Sequence, residues 1–396
     1  MKEYLRVLRE NQVIRGLTLI QFIGYFGSWL TNVAIYTLLI ELGASPFWIG
    51  LASAAHFIFG IILAPFSGVI IDKVEPKKIM NTLLWIEFFT TALFLFVDSL
   101  DLVPLFIVLI SIRMGASSFY FTTEMSLLPK ITSSEDLKIA NEMHSSIWSF
   151  TYALGLAFGG IALLFISPRE MFLLDSIIFL TLIYLLSKVE IEVTIVEKSL
   201  SFIQSMKEGL KYIFSNKRVI YFILLHSIVG VTVFEPIVAV ATKKEYSLIV
   251  AVPIALALIH SLRAISLVVG SILFSKYVNK NNFHYLLIYQ AFALLFWGFV
   301  MEDLYLSILG SILNGLVIAL IWSYTYTLLQ EEVEQKFYGR VIAYNDMLFL
   351  AVSSLTAIAT GRILEAGYPY LTIFIFSGSI FFISAFLVKK LLKNGG

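Results

Sequence analysis

Cysteine is absent from the 396 residues, which excludes disulfides, thiolate metal sites and thiol nucleophiles. Charge is scarce as well. Asp, Glu, Lys and Arg make up 14% of the chain, about half the roughly one-quarter share of soluble proteins. A chain this poor in charge cannot cover a water-facing surface. Its net charge is +1, so no global field draws nucleic acid, and none is expected as a partner. Histidines number five (His56, His144, His226, His260 and His284), with no two at metal-ligand helix spacing. Neither a metal nor a cofactor is expected. Clustered His or Asp motifs of the kind that mark integral membrane enzymes are missing too, so an enzyme is the remote alternative. Almost no extramembrane domain is left for a receptor or scaffold.

What the chain does hold is apolar length. Hydrophobic residues make up 59% of it, and the mean hydropathy is +0.89. A spanning helix needs about 20 mostly apolar residues. That ruler predicts twelve spans, at approximately 16–41, 46–71, 79–97, 103–126, 142–166, 171–187, 218–241, 248–275, 283–300, 304–329, 341–363 and 369–388. The fold class is therefore all-α membrane protein with twelve transmembrane helices, and the lipid bilayer is its first partner. The charged N-terminus, ahead of a first run too long for a signal peptide, reads as an interfacial amphipathic stretch. Connections are short except at 188–217, a polar segment with a predicted amphipathic helix around Phe202–Phe214. The expected domains are a six-helix bundle over 1–187, the linker 188–217 and a second bundle over 218–396.

The basic residues test this map. An even span count puts 22 of the 28 on the side of both termini, among them Arg6, Lys73, Lys77, Lys78, Lys188, Lys276, Lys280 and Arg340. By the positive-inside rule that side is the cytoplasm, and the expected location is the cell (inner) membrane. Only Arg169, Lys243, Lys244 and Arg362 fall on the other side, and Arg113 and Arg263 fall inside spans. The halves also look duplicated. Val13-Ile14 with Gly24 recurs as Val219-Ile220 with Gly230, Gly68 as Gly270, and Asn141-Glu142-Met143 as Asn345-Asp346-Met347, all at offsets near 204. Such internal symmetry belongs to transporters built from related halves.

Polar residues recur along single helix faces. In the first span Gln21, Tyr25, Ser28, Asn32 and Tyr36 share a stripe; in the fourth, Arg113, Ser117, Tyr120 and Glu124 do; in the tenth, Ser307, Ser311, Asn314, Trp322 and Thr325 do, broken by Ile318. Each stripe serves either a cavity or helix–helix hydrogen bonding. Trp29, Tyr25 and Trp322 offer apolar surface to a bulky ligand. Ionisable groups at membrane depth are functional candidates. Arg113 lies about ten residues into its span, roughly 15 Å deep, and Glu87 in the third span is its expected partner and the first candidate for proton coupling. Glu124 and Asp346 lie near span ends as gate or capping residues. Glu235 precedes Pro236 where a kink is expected. His226 and His260 are candidates for a proton relay or for plain interhelical hydrogen bonds.

One loop carries a motif. Gly68-Val-Ile-Ile-Asp72-Lys73-Val-Glu75-Pro76-Lys77-Lys78, between the second and third spans, resembles the signature loop of the major facilitator superfamily, with Pro76 where a glycine is usual. Ile112-Arg113-Met114-Gly115, the stretch from Leu128-Pro129 through Gly155-Leu156-Ala157-Phe158-Gly159-Gly160, and Tyr338-Gly339-Arg340-Val341 are similar to the drug-efflux branch, which includes macrolide and siderophore exporters. The antiporter-associated Gly-Pro of the fifth span is Gly155-Leu156 here, and the second copy of the loop, Gly270 to Lys280, lacks the acid. The resemblance implies two pseudo-symmetric six-helix bundles, a central path lined by the first, fourth, seventh and tenth helices, and alternating access. It implies a conformational latch of Gly68, Asp72, Lys73, Lys77 and Lys78 against Arg340 and the Asp346 end of the eleventh helix. The activity it implies is proton-coupled efflux of a small hydrophobic or amphipathic compound by a monomer. A siderophore, lysolipid or metal complex is the alternative cargo.

Overall fold

The protein is described by a computed structural model covering residues 2–191 and 202–393. It includes their side chains except those at positions 2, 64, 65, 67–69, 72, 134, 135, 202, 203, 205 and 393. Among the described residues every regular element is helical. The order is α1 (Lys2–Glu10), α2 (Gln12–Glu41), α3 (Pro46–Lys73), α4 (Pro76–Phe94), α5 (Val103–Ile131), α6 (Ser134–Ala162) and α7 (Pro168–Lys188). It continues with α8 (Phe202–Ser215), α9 (Lys217–Ser227), α10 (Glu235–Ala241), α11 (Val252–Phe274), α12 (Phe283–Val300), α13 (Leu304–Glu332), α14 (Tyr338–Glu365) and α15 (Tyr370–Lys393).

Among the described residues, ten helical segments are long and apolar enough to cross a membrane. To these the twelve-span fold adds α4, whose 19 residues carry Lys77, Lys78 and Glu87, and α6, whose first half is polar. The helix starts are written locally. Asn11 caps α2 by accepting from the Ile14 N–H. Ser167 and Glu170 form a reciprocal capping box at α7, with Pro168 at the entry. Pro76 likewise stands in the first turn of α4, where its missing N–H costs nothing.

The seventh span, expected over 218–241 with a kink at Glu235-Pro236, is broken earlier and more fully than a proline kink alone. α9 passes into a 3-10 turn at Ile228–Thr232, and α10 restarts at Glu235 with Pro236 in its first turn. Proline cannot donate to the preceding turn. Gly230 meanwhile lets the backbone lie close to Phe349 and Ser353 of α14, where a Cβ would sit 2.9 Å from both.

The chain divides into two compact units. One comprises 1–44 with 55–199, the other 45–54 with 200–396. In the first unit, α2 packs on α6 and α7, and α4 on α5 and α7. Gly155 and Gly159 of α6 face Trp29 and Leu30 of α2, where a Cβ would come 2.5 and 3.0 Å from the nearest atoms. Small residues four apart let the two helix backbones approach. Val7 of α1 is buried among Ile14, Leu128, Ile139 and Met143, and Arg6 donates to Asp136 at 2.7 Å. In the second unit, α11 packs along α13, α12 on α13 and α15, and α14 on α9. The start of α3 belongs with this unit, Ser45 donating to Glu365 at 2.7 Å. The linker helix α8 docks on α14 through Glu208 and Arg340, 2.9 Å apart, and through a Tyr212–Phe337 ring stack.

Candidate functional site

In the first unit the polar residues converge on Arg113. Its guanidinium donates at 2.8 Å to Asp175 of α7, at 3.0 Å to Thr91 of α4 and at 3.4 Å to Ser28 of α2. Thr31 donates to the same carboxylate oxygen of Asp175 at 2.7 Å, and the Phe179 ring lies under the guanidinium. Both charges are closed to solvent, with side-chain exposures of 3% and 1%. The ion-pair partner of Arg113 is thus Asp175, not the expected Glu87. Glu87 is buried on the neighbouring helix, where Arg113 and Asp175 both act on it electrostatically. Asp175 escaped the sequence reading. Its signal was the one used for Arg113, an ionisable residue inside an apolar run.

Beside this network lies a cavity of about 30 Å³, room for a water or two. Gln21, Tyr25 and Ser28 of α2, Glu87 of α4, and Ser117, Tyr120 and Glu124 of α5 line it. The first-span and fourth-span stripes therefore meet. Glu124 and Tyr120 are buried, and one Glu124 carboxylate oxygen and the Tyr120 hydroxyl have no hydrogen-bond partner among the described residues. The first-span stripe also divides. Asn32 lies 3.2 Å from His56 of α3, and the Tyr36 ring stacks on the same histidine. Trp29 turns toward Trp148 and Tyr152 of α6.

The second unit separates residues that the sequence reading grouped. Asn314 accepts from the Arg263 Nε at 3.0 Å and is fully buried between α11 and α13. Trp322, two turns along, packs on His226, with ring centres 4.3 Å apart. Ser307 and Ser311 serve Trp297 and the Ile259 carbonyl. His226 lies 2.7 Å from Thr325 and touches Tyr326 and Phe349. Tyr326 in turn donates to Asp346. His260 lies on α11 under the influence of Arg263, so the two histidines have different neighbours. Arg263 also acts on Glu235 and sits over the Phe234 ring, 5.3 Å from its centre.

Of the loop motif, Lys77 donates to the carbonyls of Ser187 and Val189 at 3.1 and 2.7 Å, and Lys78 pairs with Glu75 at 3.1 Å. The side chains at Gly68 and Asp72 lie outside the described residues. Arg340 is held by Glu208 within its own unit.

Comparison with known proteins gives the arrangement a family. The model of the Major Facilitator Superfamily matches residues 17–301. A putative bacilysin exporter, BacE, of Bacillus amyloliquefaciens is 23% identical over 201 residues, which are 50% of this chain and 49% of that protein. The chain thus spans about half the length of the curated relatives it matches. Among solved structures, the nucleoside transporter NupG superposes with a TM-score of 0.77 at 13% identity, over 96% of this chain and 99% of that one. A D-xylose-proton symporter superposes with a TM-score of 0.75 at 12% identity, over 96% and 98%. At such identities these structures share the fold.

Proposed function

The chain belongs to the Major Facilitator Superfamily, and from that premise we propose that it exports a small hydrophobic or amphipathic compound by alternating access, driven by protons. The observation that carries the reading is the grouping of Glu87 and Glu124 about one small polar cavity next to the Arg113–Asp175 pair. A buried carboxyl changes its preferred protonation form as its hydration and neighbouring charge change. A carrier needs such a group, one that takes up a proton with water on one side and releases it on the other. Gln21, Tyr25, Ser28 and Ser117, on the same cavity wall, are the candidates to relay or bind. Export as the direction is supported by the relatives described as exporters, and proton drive by a fold neighbour described as a proton symporter.

A second cargo class is a siderophore, lysolipid or metal complex. An acidic chelate needs unengaged cations. Of the two arginines at membrane depth, Arg113 is paired with Asp175, and Arg263 donates to Asn314 and acts on the nearby acid Glu235, which favours the less charged cargo. The test is flux in sealed proteoliposomes. The expected result is proton movement, read by an internal pH dye, that appears only when an amphipathic test compound is added. Compound movement without proton movement would reject proton coupling, and movement of neither across a broad panel would reject the cargo class.

A further inference from the structure

Each unit carries an apolar groove at corresponding positions. In the first unit a groove of about 430 Å³ runs between α3 and α4 over α5 and includes Ile70, Val74, Lys78, Thr82 and Ile112. In the second, a groove of about 400 Å³ runs between α11 and α12 over α13 and includes Phe274, Val278, Asn282, Leu286 and Leu316. These five pairs are all separated by 204 residues, the offset of the internal duplication. The grooves thus follow the duplicated architecture rather than one accident of packing.

In each unit a glycine brings an outer helix close to the helix beneath the groove. In the first unit Gly115 of α5 lies against Phe59 of α3, where a Cβ would come 2.7 Å from the Phe59 Cβ. In the second, Gly270 of α11 lies against the Leu316 backbone of α13. In each case the outer helices rest on a shared third helix and leave a slot above it. The slots are open at the surface of spanning helices, so hydrocarbon is their surrounding medium. Ile70, Val74, Phe274, Tyr277 and Tyr285 are exposed. An empty slot there forfeits dispersion contacts along its whole length, and a flexible acyl chain is the group that fits it.

The mouths have a polar chemistry of their own. Both grooves end on the lysine-rich side of the chain, α3 closing at Lys73 and α11 at Phe274, just before Lys276. Lys78 lines the first mouth and, among the described residues, forms an exposed pair with Glu75. Such a pair is worth little and yields to a stronger anion. At the second mouth Lys276 lies over the Tyr277 ring, 4.9 Å from its centre, and Lys280 pairs with Glu331. Tyr277, Tyr285 and Tyr289 surround that groove, and tyrosine favours the headgroup level. Lysine attracts anionic lipid headgroups, each contributing a modest increment of affinity.

We propose that each groove holds one anionic phospholipid, its acyl chain along the apolar floor and its phosphate at the lysines of the mouth. The sites need only insertion in a membrane, and lipid retention is read without transport, so the proposal stands or falls apart from the export reading. The test is native mass spectrometry of the full chain, purified in detergent and incubated with dioleoyl-phosphatidylglycerol or dioleoyl-phosphatidylcholine. The expected spectrum shows up to two retained phosphatidylglycerol molecules and few phosphatidylcholine. Thr82→Trp, which fills the first groove, and Leu286→Trp, which fills the second, should each remove one. Lys78→Gln alters an exposed side chain and should lower phosphatidylglycerol occupancy of one site about fivefold; this variant decides the matter if a tryptophan variant does not fold. Equal retention of the two lipids, two adducts surviving in both tryptophan variants, or unchanged occupancy in Lys78→Gln would each overturn the proposal.

Discussion

Arg113 of α5 and Asp175 of α7 form a 2.8 Å ion pair with both side chains almost wholly closed to solvent. Removing two charges from water costs several kcal/mol per ion, and their attraction offsets this only with good geometry and further hydrogen bonds. Here Thr31, Thr91 and Ser28 supply those bonds. The pair ties α2, α4, α5 and α7 at one depth.

Losing one partner should therefore hurt more than losing both. Asp175→Ala leaves a buried guanidinium unpaired and is expected to cost about 3–5 kcal/mol. Combining Arg113→Met with Asp175→Leu should recover most of that. Thermal unfolding of the purified protein followed by tryptophan fluorescence gives the comparison. A single variant that melts with the parent would show the pair to be energetically idle.

Glu87→Gln keeps shape and hydrogen bonding and removes the titrating proton. If Glu87 carries the coupled proton, the variant should lose proton-driven accumulation at least tenfold and retain exchange of labelled for unlabelled compound. Glu124→Gln, across the same cavity, is the comparison. Normal proton-driven accumulation in both would remove them from the coupling step.

The docking of α1 should be insensitive to pH around neutrality. The hydrogen bond from Arg6 holds Asp136 below the ordinary carboxylate range, helped by Ser133. A depressed folded-state value stabilises the docked form above the ordinary range and loses that stabilisation as pH falls through the folded value. Protection factors over residues 2–10, corrected for the intrinsic pH dependence of amide exchange, should stay high at neutral pH and fall only in acid. Arg6→Ala should lower them at neutral pH, and no change in that variant would show that Val7 burial alone holds the helix.

Gly155→Val should separate α2 from α6. The new Cβ would meet the Trp29 Cβ at 2.5 Å and the Phe26 carbonyl at 3.1 Å. Overpacking of this kind costs about 1–3 kcal/mol. A lower melting temperature and reduced membrane yield are expected, and parental values for both would mean that the interface relaxes freely.

The helices were legible because bilayer thickness imposes their length and the lysines mark their ends. The linker helix was legible by its period: it was expected around Phe202–Phe214 and is found at Phe202–Ser215. Pairings were harder. One sequence shows that Gln21, Tyr25, Ser28, Ser117, Tyr120 and Glu124 lie on helix faces, and these do meet at one cavity. It does not show rotation about the helix axis, so Asn32 and Tyr36 went to His56 instead. Arg113 had several acids within its unit's spans, Glu87, Glu124 and Asp175 among them, and only three-dimensional packing selects Asp175. In the seventh span the kink at Pro236 was legible, whereas the 3-10 turn at Ile228–Thr232 was not, because a hydropathy window averages over such a step.

That break has a mechanical consequence. A torque applied to α9 at its lysine-rich end meets a pivot between Ile228 and Phe234, where the intrahelical bonds that would carry it onward to α10 are interrupted. α13, with 29 unbroken residues, has no such pivot. The seventh span is therefore an articulated rod beside a stiff one, able to swing at one end while Ser377 grips the Val231 carbonyl at the joint.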